Sequence, residues 1–302
     1  VFVDVDPRTL NAEPGAAAAA VSAKTRALVI PHTLGNPFDL RAFTQLARER
    51  GLFLVEDACD ALGAEFDGKM VGSFGDTATA SFFPAHHMTL GEGGAVFTSD
   101  GKIRRALASL RDWGRDCWCA PGESNTCGKR FGWKLGDLPE GYDHKYIFSH
   151  IGYNLKALDL QAAIGLAQLK KLPGFIAARR ANFRRLKEGL AAYAERLRCP
   201  EPYAGAQPSW FALPLTVAAD AGFSRAELVA FLERRKIETR MIFAGNILKQ
   251  PAYRDIPHRV AGTLTHTDAV MERSFFVGVY PGLSEAGVDY ILEAFRDFLK
   301  KR

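Results

Sequence analysis

Short apolar runs of the kind a β-strand buries punctuate the N-terminal third of the chain. They are FVDV (2–5), ALVIPHT (27–33), LFLVEDAC (52–59), TATASFF (77–83) and GAVFTS (94–99). Between two of them LRAFTQLARERG (40–51) repeats its apolar residues at helical spacing, and GKIRRALASLRDWG (101–114) does so after the last. Strands separated by helices of this length predict a largely parallel sheet covered on both faces. Ligand chemistry in such sheets gathers at the carboxyl ends of the strands, so residues 31–36, 57–60 and 81–87 are expected near one another.

Residues 115–153 follow no period and are crowded with Gly, Cys, Pro and aromatics. A loop of that length inside a compact domain is usually functional. Helical periodicity returns at LKALDLQAAIGLAQLKKL (155–172), which Pro173 and Gly174 are expected to stop before a second helix over 175–197. The cluster Arg179, Arg180, Arg184, Arg185 and Lys187 reads as a solvated helix face. Beyond Pro200 come strand 209–217, helix 224–237 opened by a Ser cap with Glu three residues on, strand 238–243 and a terminal helix 284–302. The organisation expected is a large domain over 1–174, then a linking helix and smaller α/β domain over 175–302.

Composition narrows the function classes. A hydrophobic fraction of 47% supports a buried core, and 39 basic against 34 acidic residues, a net charge of +5, is too mild and too mixed for a nucleic-acid binder. No apolar run approaches the roughly 20 residues that span a bilayer. The expectation is a cytoplasmic globular protein without membrane association. Val1 already opens on an apolar strand-like run, which suggests that the chain is truncated at its N-terminus.

Cys117, Cys119 and Cys127 stand as C-x-C-x7-C in the irregular loop, and Cys59 lies at a strand end. Disulfides are not expected in a cytoplasmic chain, and four thiolates suit zinc or an iron–sulfur cluster. The other reading is buried free thiols, as expected for Cys199. Asp57, at a strand end, can pair with a protonated ring nitrogen or cap a following helix. Ser81, five residues before His86, can donate to a phosphate.

Taken in order, VEDACDALGAEF, SFFPAHHMTLGEGG and GYNLK resemble the sugar aminotransferase family of fold type I pyridoxal-phosphate enzymes, over the whole chain. That resemblance implies an aspartate-aminotransferase-like fold. His86 stands where most of the family carries its Schiff-base lysine, which resembles the sugar 3-dehydratases. With the loop DWGRDCWCAPGESNTCGKRFGW, it resembles their iron–sulfur branch. A histidine cannot hold the cofactor covalently, so the resemblance implies free pyridoxamine 5′-phosphate. It also implies that His86 is the base at cofactor C4′, that Asp57 keeps the ring protonated, and that Asp60, Ser81 and Asn154 are further cofactor contacts, Asn154 across a homodimer. By the same resemblance Cys59, Cys117, Cys119 and Cys127 hold a 2Fe-2S cluster. Electrons come from an NADH-dependent flavin and iron–sulfur reductase, and the substrate is CDP-4-keto-6-deoxyglucose.

Phe83 replaces a tyrosine common in relatives, and it, Phe211 and Arg240 are candidate substrate contacts. For Phe211 and Arg240 the competing reading is ordinary core and surface, and His87 reads as a hydrogen-bonded neighbour. The alternatives are a cluster-free 3-dehydratase, an aminotransferase-like protein, or an inactive zinc-stabilised scaffold.

Overall fold

The computed structural model describes residues 1–120 and 122–301. Strands β1 (Ala27–Pro31), β2 (Phe53–Asp57), β5 (Thr77–Ser81) and β6 (Gly94–Phe97) form one sheet in that order; short β3 (Glu65–Phe66) and β4 (Lys69–Met70), between β2 and β5 in the chain, belong to a separate small sheet. β1, β2 and β5 are parallel, and β6 returns antiparallel to β5. The connection from Ser81 to Gly94 contains no helix and turns the chain straight back along β5, whereas β2 crosses to parallel β5 through β3 and β4.

Alternation in β1 turns Leu28 and Ile30 inward and leaves Val29 exposed. They pack with Leu54 of β2 and with Phe38, Leu40, Phe43 and Leu46 at helix α2 (Leu40–Arg50). Asp39 opens that helix by accepting from the Ala42 N–H at 3.0 Å, and Gly51, at φ 61°, closes it. Helix α1 (Pro14–Ala20) packs beside α2, and α3 (Gly101–Arg111) follows β6.

The second sheet is antiparallel, in the order β10 (Thr239–Met241), β11 (Ser274–Gly278), β9 (Ala212–Val217), β7 (Leu197–Arg198). Its core joins Leu213, Leu215, Phe275 and Val277 to Leu228 of α5 (Arg225–Arg234) and Phe295 of α7 (Glu285–Leu299). Ser224 and Glu227 make the expected capping box of α5. The strand β8 (Ala206–Gln207) pairs with β3, and α6 (Thr265–Arg273) precedes β11.

Three expectations are corrected. FVDV is not a sheet strand: Phe2 and Val5 make only isolated bridges, to Val260 and Ala12. Pro173 does not stop its helix, because α4 (Asp159–Gly189) runs through it. Leu172 on one side and Phe183 and Leu186 on the other are buried, and this packing outweighs the missing amide. The terminal helix ends at Leu299, and Arg302 lies outside the described residues. Among the described residues no helix is long and apolar enough to cross a membrane.

Candidate functional site

The parallel strands place their carboxyl ends side by side, with Asp57 opposite Pro31 on one neighbour and Thr79 on the other. Asp57 Oδ1 accepts from the Cys59 amide and the Thr79 hydroxyl, each at 3.1 Å, and Oδ2 takes part in neither bond. A turn follows Asp57, so it caps no helix. Ser81 Oγ accepts from the Phe83 amide at 3.3 Å, which leaves its proton for another acceptor.

His86 sits in the turn after β5, its amide bonded to Phe83 O at 3.0 Å. Its Nδ1 lies 2.7 Å from the Cys59 carbonyl. A carbonyl only accepts, so Nδ1 carries a proton, and Nε2 is the ring nitrogen outside this bond. Asp60 Oδ1 lies 3.5 Å from the same Nδ1. Burial raises the Asp60 pKa to about 6, with His86 opposing and Asp57 adding to the shift. The His86 ring stands 5.3 Å from Phe211 and 6.3 Å from Phe83. Phe211 thus faces the His86 ring, and it also meets Phe276 at 6.0 Å and Phe243 at 6.4 Å.

Beneath this surface, buried Glu56 accepts from the amides of Gly72, Phe74 and Gly75 at 2.6–2.7 Å. His32 Nδ1 accepts from the Phe38 amide, so its Nε2–H donates to Glu56 at 3.2 Å. The turn after β1 is pressed against the segment entering β9: Ser209 N–H reaches Gly35 O, and Phe211 N–H reaches Leu34 O at 2.9 Å. Gly35 has φ +90°, and a Cβ there would lie 1.9 Å from Ser209 O.

His87 is buried, and its Nε2 donates to Ser209 O at 2.8 Å, in keeping with a hydrogen-bonded neighbour. The basic cluster of α4 is a solvated face only in part: Arg184 is exposed, whereas Arg179 and Arg180 turn inward. Arg179 is 4% exposed and donates to main-chain carbonyls of Phe211, Trp210 and His86. Arg180 does the same to Pro208, Gln207 and Gly63, while Arg185 and Lys187 pair with Asp289 and Glu201. The helix lies in a seam between the two sheets, where main-chain acceptors replace water.

Cys59 follows the end of β2, whereas Cys117, Cys119 and Cys127 lie in the loop after α3. Cys59 Sγ is 3.5 Å from Thr79 Oγ1, and burial, with Asp57 and Asp60 nearby, pushes its thiol up to about 11. Cys117 and Cys119 interact, a bond to Thr126 lowers the Cys119 pKa, and Cys127 Sγ is 3.9 Å from His144. Among the described residues, no group of three or more His, Cys, Asp or Glu side chains is gathered as metal ligands, so the four thiols do not form a preassembled cluster site. A C-x-C spacing sets its thiols within one loop and carries no information on the distance to Cys59. Arg240 pairs with Glu238 and Thr239 O, and Asn154 is exposed in a bridge to Asp112. Neither contacts His86 within the chain.

Sequence reasoning passed over Phe243, Phe276, His32 and Glu56. Glu56 carried a signal: a carboxylate inside an apolar strand needs buried partners.

The sequence profile described as the DegT/DnrJ/EryC1/StrS aminotransferase family matches residues 1–296. The chain is 52% identical to the lipopolysaccharide biosynthesis protein RfbH of Salmonella typhimurium, over 99% of this chain and 68% of that protein. It is 53% identical to the dTDP-4-dehydro-2,6-dideoxy-D-glucose 3-dehydratase of Saccharopolyspora spinosa, over 100% of this chain and 65% of that protein. Among solved structures, E. coli GDP-4-keto-6-deoxy-D-mannose-3-dehydratase with bound hydrated PLP superposes with a TM-score of 0.85, at 30% identity, covering 97% of this chain and 73% of that one. The architecture is fold type I, that of the pyridoxal-phosphate-dependent transferases.

The residues fit a pyridine-ring cofactor that is not covalently held. Asp57 has one oxygen clamped and the other outside that clamp, suited to a ring N–H. Ser81 retains a hydroxyl proton, and position 86 has no amine with which to bind the cofactor.

Proposed function

This chain belongs to the DegT/DnrJ/EryC1/StrS aminotransferase family, and on that premise we propose that it is the greater part of a pyridoxamine-phosphate-dependent nucleotide-sugar 3-dehydrase. The carrying observation is His86: its Nδ1 is engaged by the Cys59 carbonyl, which leaves Nε2 as the ring nitrogen free to exchange a proton with a bound ligand. When bound, the cofactor supplies an amine for a 4-keto sugar and an electron-withdrawing ring. Asp57 keeps that ring protonated, Ser81 donates to its phosphate, and Asp60 lies beside the base. With the cofactor bound, His86 Nε2 would accept a proton at C4′ and, once protonated, would return it to the departing C3 hydroxyl, which would leave as water. Phe211 and Phe83 flank the histidine and exclude water from its ring, and Arg240 and Asn154 complete the substrate and cofactor contacts.

The finer proposal is a CDP-4-keto-6-deoxyglucose substrate in 3,6-dideoxyhexose biosynthesis, with division at 174/175 into cofactor-binding and smaller parts. A homodimer is supported by Leu155, Leu158, Leu160, Leu166 and Leu169, all exposed along or just before the first half of α4. A 2Fe-2S cluster on Cys59, Cys117, Cys119 and Cys127, reduced by a flavin and iron–sulfur reductase, rests on the thiol set. It requires the loop to close on Cys59. Iron and acid-labile sulfide in equal amounts in anaerobically purified protein support that cluster, and stoichiometric zinc in a colourless protein overturns it.

The base assignment is tested with His86→Asn in the complete protein. Loss of both C3-hydroxyl elimination and tritium washout from cofactor C4′, with the cofactor still bound, is expected. Undiminished washout removes His86 from the role.

A further inference from the structure

The second half of α4 carries a buried cation whose recorded partners are all main-chain carbonyls. Arg179 Nη1 donates to Phe211 O at 2.8 Å and to Trp210 O at 3.4 Å, and Nη2 reaches His86 O at 3.5 Å. No carboxylate stands among these partners, so the guanidinium is not there to neutralise a charge. Desolvating a cation is costly unless its donors are used, and here the fork joins two separate stretches of backbone. One is the turn that carries His86, at the end of the first sheet. The other is the segment entering β9, which presents Phe211 to the His86 ring at 5.3 Å.

A second tie runs in parallel, since His87 Nε2 donates to Ser209 O at 2.8 Å. The histidine turn is therefore fastened to residues 209–211 twice, once through its own side chain and once through α4. On its other side, the Cys59 carbonyl fixes the His86 ring at Nδ1.

Resting on the dehydrase reading above, we infer that Arg179 is a positioning residue for the proton-transfer step: it latches the main chain of His86 to that of Phe211, so that the His86 ring keeps one place against Phe211. Lysine reaches a single carbonyl and cannot span the two stretches, whereas glutamine offers a short, neutral donor pair. A displacement of about 1 Å in a catalytic group costs on the order of 100-fold in rate.

The test uses the complete protein with Arg179→Lys and Arg179→Gln, loaded with pyridoxamine phosphate tritiated or deuterated at C4′. Cofactor affinity and KM for the nucleotide sugar should match wild type. The single-turnover rate of C4′ proton removal should fall roughly 10- to 100-fold, with an enlarged deuterium isotope effect. A raised KM with an unchanged turnover rate, or unaltered proton removal in a folded variant, overturns the inference. Failure of both variants to fold overturns it as well, since Arg179 would then be a structural residue. His86→Asn serves as the control: if it retains washout the dehydrase reading fails, whereas loss in His86→Asn with full rate in Arg179→Lys defeats the latch alone.

Discussion

Replacing Glu56 by Gln removes one charged oxygen from a buried site and changes little in shape. In the native arrangement Oε1 accepts from the Phe74 and Gly75 amides, and Oε2 accepts from Gly72 and from His32. A carboxamide keeps one acceptor oxygen and turns an NH2 toward the other pair of donors. At least two bonds are lost, and two buried donors are left facing a donor. At about 1–3 kcal/mol for each of the two unsatisfied donors the cost is about 2–6 kcal/mol, and we take about 3–5 kcal/mol, the range for breaking a buried ionic partner. At roughly 2–3 °C per kcal/mol, the melting temperature falls about 6–15 °C.

The pH dependence has a definite sign. Burial raises the Glu56 pKa, but bonds from His32, Gly72 and Gly75 outweigh it, and the net folded value is lowered. A lowered carboxyl stabilises the fold above its unfolded pKa of about 4.3 and loses that contribution as pH falls through the folded value. Urea unfolding of wild type and Glu56→Gln at a series of pH values should show the full difference near neutrality and a shrinking one below about pH 4.3. A difference under about 1 kcal/mol at neutral pH would refute the reasoning, because four charge-assisted bonds would then be worth less than one ordinary bond.

Two further outcomes follow from the same seam. Gly35→Ala sets a Cβ 1.9 Å from the Ser209 carbonyl at φ +90°, and should cost about 2–4 kcal/mol in urea unfolding; an unmoved midpoint would show that the turn does not press on Ser209. Burial first, and the Arg179 charge second, push the His87 pKa down to about 3. The unfolded chain therefore binds a proton that the folded one does not, and stability should decline from about pH 6.5 downward by up to about 1.4 kcal/mol per pH unit. The slope over that window should be shallower in His87→Asn, as calorimetry at several pH values would read.

Periodicity alone located β1, β2, β5, α2, α5 and α7, because each buries one face or both and its pattern says so, and it located α3, whose Ile103, Leu107 and Leu110 are half-buried. The proximity of Asp57 and the turn carrying His86 was likewise legible, since β2 and β5 run parallel and so bring their carboxyl ends to one edge of the sheet. What the chain could not reveal by itself was decided by burial between distant segments. Pro173 reads as a stop, yet α4 continues because residues on both sides are packed. Arg179 reads as one solvated charge among several, yet the seam between the sheets surrounds it with carbonyls from residues 86, 210 and 211. Sequence carries the type and local spacing of a group, whereas its dielectric surroundings and partners come from chain segments that meet only in the folded state. The same limit applies to the cysteines: three thiols are placed by one loop, and their relation to Cys59 depends on how that loop lies over the end of β2.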